Sequence, residues 1–352
     1  MPHHTQPVPL PSSPATTETP YEGLTPEAVL DALDSVGLRG DGRLIQLNSY
    51  ENRVFQVFLE DGRVVVPKFY RPGRWSDEQI LEEHRFAAEL VEQEIPVAAP
   101  WPLASAADPQ APRTTLASFE VAGQAYRFSV TERRSGRAPE LEDPAILEWI
   151  GRFIGRMHAV GRREPFAHRL TLDVPTHGTG PRDWLLASSL IPLDAESTWK
   201  DAVDAVLAEV QRCFDAVGDY RPIRLHGDCH IGNVLWTQAG PHFVDLDDAL
   251  NGPAVQDLWM LLPGDPAAMR PQLDALLRGY EDFMEFDDRE LRLIEALRTL
   301  RMIHYSAWIA RRWNDPAFPV AFPWFGTRGY WNEQATRLNE QRDILQQASR
   351  GR

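Results

Sequence analysis

The sequence predicts an α+β protein with a small antiparallel β N-lobe followed by a larger, mainly helical C-lobe. Between Leu44 and Tyr70 the residues are mostly strand formers, and the hairpin-turn sequence Asp61-Gly62 interrupts them, which predicts three antiparallel strands. A second hairpin is predicted over residues 119–131. After residue 133 the apolar side chains recur at helical spacing instead.

Start signals locate the predicted helices. Thr25-Pro26 combines an N-cap residue with a proline at the first helical position. Ser76 and Gln79 form a capping box for a second helix. The remaining helices and short strands are predicted from Asp143-Pro144 onward, over about residues 200–217, and as tight strand-and-loop structure over 222–246.

Four segments follow from these patterns. Residues 1–20 are rich in proline and are interpreted as a disordered tail. The N-lobe is assigned to residues 21–133 and the C-lobe to residues 134–343. Residues 344–352 are assigned to a C-terminal tail.

Composition and charge exclude several classes of function. The net charge is −15, and a diffuse acidic surface repels the nucleic-acid backbone, although a local basic pocket can still hold ATP. Two cysteines indicate a reducing compartment rather than a disulfide framework. No segment approaches the ~20 apolar residues of a membrane span, and the N-terminus lacks an apolar signal-peptide core. We therefore expect a cytoplasmic protein without nucleic-acid or membrane partners. We also expect it to be a monomer.

The segment with the clearest chemical content begins at His226-Gly227-Asp228. Asp228 and Asn233 lie five residues apart in a predicted loop, and an apolar strand then ends in the carboxylates at 245, 247 and 248. Carboxylate and amide oxygens suit Mg²⁺, and a carboxylate held off the metal can orient an attacking hydroxyl. Zinc is disfavoured because His226, Cys229 and His230 offer three ligands without a fourth, so we expect His226 to be a packed, hydrogen-bonded residue.

His-Gly-Asp-x-x-x-x-Asn followed by Asp-x-Asp resembles the catalytic and metal loops of the aminoglycoside phosphotransferase and choline kinase superfamily. Over about residues 25–335 the chain further resembles the bacterial stress response kinase A family, whose members are Ser/Thr protein kinases linked to stress survival. Four sequence blocks carry this resemblance: residues 47–54, 67–72, 226–230 and 251–260. It implies a bilobal, protein-kinase-like fold and ATP as the phosphoryl donor.

The resemblance also implies roles for individual residues in catalysis and metal binding. Asp228 corresponds to the catalytic base. Asn233 and Asp245 correspond to the ligands of Mg²⁺, which gives Asp245 a part in catalysis as well.

On the nucleotide side, the resemblance assigns Ser49 to the turn that covers the phosphates and Lys68 to pairing with the α and β phosphates. Residues 129–133 correspond to the interlobe hinge that touches adenine. The expected partner of Lys68 is Glu83, with Glu82 as the fallback. Glu83 is preferred because three apolar residues of the same helix would then face the sheet: Phe86, Ala87 and Leu90.

Other polar residues near these motifs have structural interpretations. Asp257 is expected to be a buried carboxylate that accepts backbone N–H groups of the catalytic loop. Asp247 is either a solvated turn residue or an indirect support of the metal. The aromatic residues of segment 308–331 are expected in the C-terminal core. Three arginines are expected on an ion-paired surface: Arg301, Arg311 and Arg312.

The leading functional hypothesis is a stress-response Ser/Thr protein kinase that transfers the γ-phosphoryl group to protein hydroxyls. Autophosphorylation is expected on the hydroxyl residues of the N-terminal tail. The alternative is a kinase for a small hydroxyl compound such as an aminoglycoside, choline or a homoserine-like acceptor. A non-catalytic pseudokinase is disfavoured because the lysine, base, amide and metal aspartate are all present.

Overall fold

The computed structural model describes residues 20–108, 110–263 and 266–350. The predicted N-terminal tail therefore lies almost entirely outside the described residues. At the other end, the last helix continues to Arg350, past the boundary placed at residue 343.

The N-lobe is built on a five-stranded antiparallel sheet with the strand order β1-β2-β3-β5-β4. The first three strands and the second hairpin are those that the sequence predicts, with Gly62 in the left-handed conformation at the first turn (φ +86°). Two helices accompany the sheet. The bounds are α1 Pro26–Asp34, β1 Gly40–Gln46, β2 Arg53–Leu59, β3 Val64–Phe69, α2 Asp77–Glu92, β4 Ala117–Val121 and β5 Gln124–Glu132.

Local capping fixes the start of both N-lobe helices. The Thr25 side chain accepts the N–H of Ala28 at α1, with a proline at the next position. Ser76 and Gln79 form the reciprocal capping box at α2, as predicted. α1 then packs its apolar face on the sheet, in a core that includes Val29, Leu33, Val57, Val65 and Phe128.

α2 packs differently from the prediction. Phe86, Ala87 and Leu90 belong to the core of the C-lobe rather than facing the sheet. The Phe86 ring lies edge-on to Phe166 at 5.4 Å between centroids, and the Arg224 guanidinium lies 4.6 Å from the Phe86 centroid. The prediction that these three residues face the sheet is therefore wrong. The preference for Glu83 over Glu82 depended on that packing.

The C-lobe consists of helices around one large hydrophobic core. α3 approaches α7 closely: a Cβ on Gly151 would lie 2.1 Å from the Leu276 carbonyl oxygen, so only glycine fits there. Its helices are α3 Pro144–Gly161, α4 Gly180–Ala187, α5 Leu193–Val217, α6 Gln256–Trp259, α7 Pro266–Tyr280, α8 Ile294–Arg311, α9 Ala317–Ala321 and α10 Arg328–Arg350.

Two small antiparallel sheets in the C-lobe carry the loops to which the sequence assigns catalysis and metal binding. The strands are β6 Ile223–Leu225, β7 Val234–Thr237, β8 Gly240–Phe243 and β9 Leu250–Gly252. β6 pairs with β9, and β7 pairs with β8. This places the loop after β6 and the loop after β8 side by side.

The aromatic segment 308–331 is mostly core, as predicted. Phe318, Phe322, Phe325 and Trp331 are buried in the C-lobe. Trp308 differs, because it lines the cavity between the lobes. Among the described residues, no helix has both the length and the apolar character needed to cross a membrane.

Candidate active site

A cavity of about 720 Å³ lies between the lobes. The predicted hinge contributes Ser129 and Thr131 to its wall. The cavity is also lined by every residue to which the sequence assigns a catalytic, metal-binding or nucleotide-binding role: Ser49, Lys68, Glu83, Asp228, Asn233 and Asp245. The fold thus brings these six residues together from distant parts of the chain.

Asp257 holds the loop that follows β6. Its carboxylate accepts the backbone N–H groups of His226 (2.8 Å) and Gly227 (2.9 Å), which confirms the structural role predicted for it. His158 Nε2 donates to the same carboxylate at 3.0 Å, and His158 Nδ1 lies 3.0 Å from the Tyr280 hydroxyl. Sequence reasoning missed both His158 and Tyr280, which come from α3 and α7.

Two further contacts tie this loop to the one after β8. His226 is fully buried and donates from Nε2 to the Val244 carbonyl at 2.9 Å, as expected for a packed residue. Gly227 has φ +84°, and a Cβ there would lie 2.2 Å from the Asp248 carbonyl oxygen. Only glycine therefore allows the two loops to approach this closely.

Asp228 reaches the cavity with 23% of its side chain exposed. Arg301 Nη1 donates to Oδ1 at 2.7 Å, and His230 Nε2 lies 3.4 Å from Oδ2. The Gly232 N–H donates to His230 Nδ1, so the proton is on Nε2, facing the carboxylate. Burial alone would raise the pKa of Asp228, but His230 and Arg301 outweigh it and hold that pKa well below its ordinary value. Arg301 is thus exposed and ion-paired, as predicted, but its partner is the predicted catalytic carboxylate.

Asn233 and Asp245 present oxygen atoms next to Asp228. The Asn233 amide nitrogen donates to the Asp228 carbonyl at 3.0 Å, which leaves its amide oxygen for a cation. Asp245 adopts a left-handed conformation (φ +61°), and its side chain is 54% exposed toward the cavity. Burial of the site raises the pKa of Asp245, and the Lys68 ammonium offsets this only in part. A carboxylate and an amide oxygen suit Mg²⁺, whose charge would stabilise the ionised form of Asp245.

Lys68 lies opposite these carboxylates on β3. Its Nζ is 3.7 Å from Asp245 Oδ1 and 3.5 Å from Asp247 Oδ1. Burial lowers the pKa of Lys68, but Tyr70, Asp247, Glu83 and Asp245 together raise it well above the ordinary value. Lys68 therefore carries a positive charge and faces the loop after β8.

Lys68 forms an ion pair with neither of the glutamates expected as its partner, because within the described residues its ion-pair contacts under 4 Å are with Asp245 and Asp247. Glu82 accepts the backbone N–H groups of residues 167–169 at 2.5, 2.9 and 2.9 Å, so its carboxylate is already used to hold that segment. Glu83 lines the cavity, and its Oε2 lies 3.7 Å from Arg169 Nη2. Burial raises the pKa of Glu83, and the charge of Lys68 acts against that rise.

The turn after β1 is joined to the C-lobe through Glu51, which the sequence analysis did not single out. Glu51 Oε1 lies 3.1 Å from Arg71 Nε, and Oε2 lies 2.5 Å from Arg312 Nη2 and 3.5 Å from Arg74 Nη1. The Trp308 indole donates to Oε2 at 2.7 Å. Burial alone would raise the pKa of Glu51, but these cations lower it. Arg312 is thus part of a buried ionic cluster, which corrects its assignment to the surface.

Asp247 belongs to the same charged layer. Its Oδ2 accepts from Asn52 Nδ2 at 3.2 Å and from Arg74 Nη1, and Arg74 Nη2 reaches Asp248. Arg74 and Lys68 lower the pKa of Asp247 despite its burial. Asp247 is therefore a buried, ion-paired residue rather than a solvated turn residue.

Comparisons with known proteins agree with this geometry. Residues 43–294 match the phosphotransferase enzyme family. The chain belongs to this family. It is 46% identical over 325 residues to stress response kinase A of Salmonella choleraesuis strain SC-B67, an alignment that covers 92% of this chain and 94% of the relative. The match is 45% to the serine/threonine protein kinase RdoA of Salmonella typhimurium strain LT2, with the same coverage. The chain is thus a member of the stress response kinase A family, as the sequence blocks predicted.

A solved structure shows the same fold at much lower identity. An amicoumacin kinase in complex with AMP-PNP and Ca²⁺ superposes with a TM-score of 0.68 at 20% identity, over 91% of this chain and 92% of that one. The predicted bilobal kinase-like architecture is therefore confirmed.

Proposed function

We propose that this protein is an ATP- and Mg²⁺-dependent serine/threonine protein kinase of the stress response. The observation that carries the proposal is that Lys68 from the N-lobe meets Asp228, Asn233 and Asp245 from the C-lobe in one cavity. A relative named as a serine/threonine protein kinase, 45% identical over 92% of this chain, supports a protein acceptor. The presence of all four residues at one site disfavours a non-catalytic pseudokinase.

In this proposal the phosphates of ATP lie between Lys68 and the metal loop, under the turn that contains Ser49. Asp245 and Asn233 hold Mg²⁺, which when bound neutralises charge on the phosphates. Lys68 contributes a further positive charge at a buried position. The two lobes thus provide electrostatic stabilisation from opposite sides of the nucleotide.

Asp228 acts on the acceptor. It orients the acceptor hydroxyl and takes its proton as the hydroxyl oxygen bonds to the γ-phosphorus. The bond between the γ-phosphorus and the β–γ bridging oxygen breaks, and ADP leaves with that electron pair. The contacts with His230 and Arg301 keep the pKa of Asp228 low, so its carboxylate is ionised at neutral pH and can accept a hydrogen bond from the acceptor hydroxyl.

The test is transfer of labelled phosphate from Mg-ATP to a generic protein substrate and to a panel of amino alcohols. Labelling of serine or threonine in the protein substrate by the wild type, and none by Asp228→Asn, is the expected result. Mass spectrometry of the intact chain tests autophosphorylation in parallel; the expected acceptors, among them Thr5 and Ser12, lie outside the described residues. Absence of protein labelling, with rapid transfer to one amino alcohol, would contradict the protein-kinase assignment.

A second candidate is a small-molecule kinase. The specific observation in its favour is the fold shared with an enzyme named as an amicoumacin kinase. The catalytic residues serve either acceptor, so the two candidate functions are separated by which acceptor is labelled in the same assay.

A further inference from the structure

The C-lobe side of the cavity has a distinctive chemical lining. α8 contributes two leucines, one arginine, one histidine and two larger aromatic residues: Leu297, Leu300, Arg301, His304, Tyr305 and Trp308. The His304 ring stacks on His177 at 4.6 Å between centroids, and burial lowers the pKa of both imidazoles, that of His177 to about 4. Both histidines are therefore neutral at pH 7, and Arg301 is the cation that α8 contributes to this wall.

The acidic side chains of the cavity are already paired. Within the part of the chain that the structure describes, each lining carboxylate lies within 4 Å of an arginine or lysine: Asp228 with Arg301, Glu51 with Arg312, Glu83 with Arg169, Glu132 with Arg134, Asp245 with Lys68, and Asp248 with Arg74. A cationic acceptor would find no unpaired carboxylate among them. An anionic acceptor would find the guanidinium of Arg301.

Arg301 has the capacity to bind such an anion. Its contacts with the described residues are made through Nη1 alone, with Asp228 Oδ1 at 2.7 Å and Met260 Sδ at 3.8 Å. The side chain is 46% exposed, and Nε and Nη2 remain as donors. A guanidinium can bind a carboxylate or phosphate through two parallel hydrogen bonds.

We propose that Arg301 determines acceptor specificity by binding an anionic group close to the hydroxyl that receives the phosphoryl group. This inference rests on the proposed function: in a protein substrate the group is the side chain of an acidic or phosphorylated residue beside the acceptor serine or threonine. Arg301 and Asp228 are in direct contact, so three hydrogen bonds and the widths of the guanidinium and the carboxylate separate the anion from the hydroxyl, a span on the order of 10 Å. That span fits a residue one or two positions from the acceptor, because consecutive Cα atoms lie about 3.8 Å apart.

The contact between Arg301 and Asp228 also couples recognition to catalysis. In the absence of an acceptor, Oδ1 of Asp228 is occupied by the guanidinium. An acceptor anion bound at Nε and Nη2 shares the charge of the guanidinium and weakens its hold on Oδ1, which makes the carboxylate more available to the acceptor hydroxyl. A neutral or cationic acceptor leaves the full charge of the guanidinium on Asp228.

The experiment measures kcat/KM for serine peptides that differ only at the residue beside the serine, which is glutamate, phosphoserine, glutamine or lysine. Charged hydrogen bonds of this kind are worth about 10- to 100-fold in an equilibrium or rate constant. The wild type should therefore prefer glutamate to glutamine by about that factor and disfavour lysine. The phosphoserine arm shows whether a carboxylate or a phosphate is the better ligand.

Arg301→Gln should reduce the glutamate-to-glutamine ratio to about one, and Arg301→Lys should retain part of it. Because each ratio is taken within one variant, a general loss of activity cancels. Arg278→Gln is the matched control: it removes the same charge from an exposed C-lobe arginine outside the cavity and should keep the wild-type ratio. A wild type without preference for glutamate, or an unchanged ratio in Arg301→Gln, would overturn the inference.

A small-molecule arm separates this inference from the proposed function. Homoserine and 3-aminopropan-1-ol differ only by a carboxylate. Arg301-dependent preference for homoserine, with no peptide labelled, would refute the protein acceptor and support the role of Arg301. Peptide phosphorylation that ignores neighbouring charge would support the protein acceptor and refute the role of Arg301.

Discussion

Replacing Glu51 with glutamine keeps the size of the side chain and removes its charge from the middle of the interlobe ionic cluster. The Glu51 side chain is 11% exposed and its carboxylate contacts Arg71, Arg74 and Arg312. Burial already lowers the pKa of Arg312 to about 10, even with Glu51 beside it. Without Glu51, that arginine is a buried cation without its counter-charge.

Removal of one partner from a buried ion pair costs about 3–5 kcal/mol, because the other charge stays desolvated. Glutamine can still accept the hydrogen bond from the Trp308 indole, so the loss of stability measures the removal of the charge alone. We expect Glu51→Gln to lower the free energy of unfolding by about 3 kcal/mol, and Tm by about 4 °C in a chain of this size. The matched control is Glu120→Gln, on the exposed edge of the N-lobe sheet, which should stay within ~0.5 kcal/mol of the wild type.

A double-mutant cycle tests the physical reason directly. If Glu51 compensates Arg312, then Glu51→Gln/Arg312→Gln should be more stable than the sum of the two single losses by about 0.5–3 kcal/mol. The measurement is denaturant unfolding of the four proteins at low salt and constant pH. Additive losses, or a Glu51→Gln variant as stable as the control, would refute the reasoning.

Three further predictions concern the site and its surroundings. Asp228→Asn should keep the fold and ATP binding but lower the turnover rate by about 10²–10⁴, measured by steady-state phosphate transfer. Asp245→Ala should abolish Mg²⁺-supported activity, whereas Asn233→Ala should raise the Mg²⁺ concentration needed for half-maximal rate; unchanged titration curves would exclude both as ligands. Glu290 accepts the N–H of Val255, and burial raises its pKa from 4.5 to about 7. Ionisation of Glu290 destabilises the folded state, and this effect is absent below pH 4.5 and complete above pH 7. The free energy of unfolding should therefore fall over that range by up to about 3 kcal/mol, and Glu290→Gln should remove that part of the fall.

The features that sequence reasoning located correctly are those with short-range causes. The turn at Gly62 and the capping box of Ser76 and Gln79 are complete within a few residues, so their geometry is independent of the rest of the fold. The two functional loops are similar in kind, because Asp228 and Asp245 lie seventeen positions apart and each loop is recognisable from its own residues. The predicted orientation of α2 was wrong because the sequence shows the same apolar positions whether they face a sheet or another helix.

Arg301 and Arg312 show most clearly which contacts could not be predicted from the sequence. Arg301 is 73 positions from the carboxylate that it contacts, and an arginine on an amphipathic helix is most simply assigned to solvent. One signal was available: Arg301 lies four positions from both Leu297 and Tyr305, on the stripe of α8 that faces the cavity. The contact between Glu51 and Arg312 has no such signal, because its geometry depends on how the two lobes dock.

The way the lobes dock determines which parts can move relative to each other. The N-lobe sheet and the C-lobe have separate hydrophobic cores, and α2 belongs to the second of them through Phe86 and Leu90. A rigid-body movement of the sheet therefore changes the distance between Lys68, on the sheet, and Glu83, on α2. The hydrogen bond of 2.7 Å between Tyr70 and His84 opposes that movement, because it joins the end of β3 to the same helix. The ionic cluster around Glu51 also opposes this movement, because Glu51 of the N-lobe contacts Arg312 of the C-lobe. These polar contacts join the two lobes and leave space for a nucleotide in the cavity.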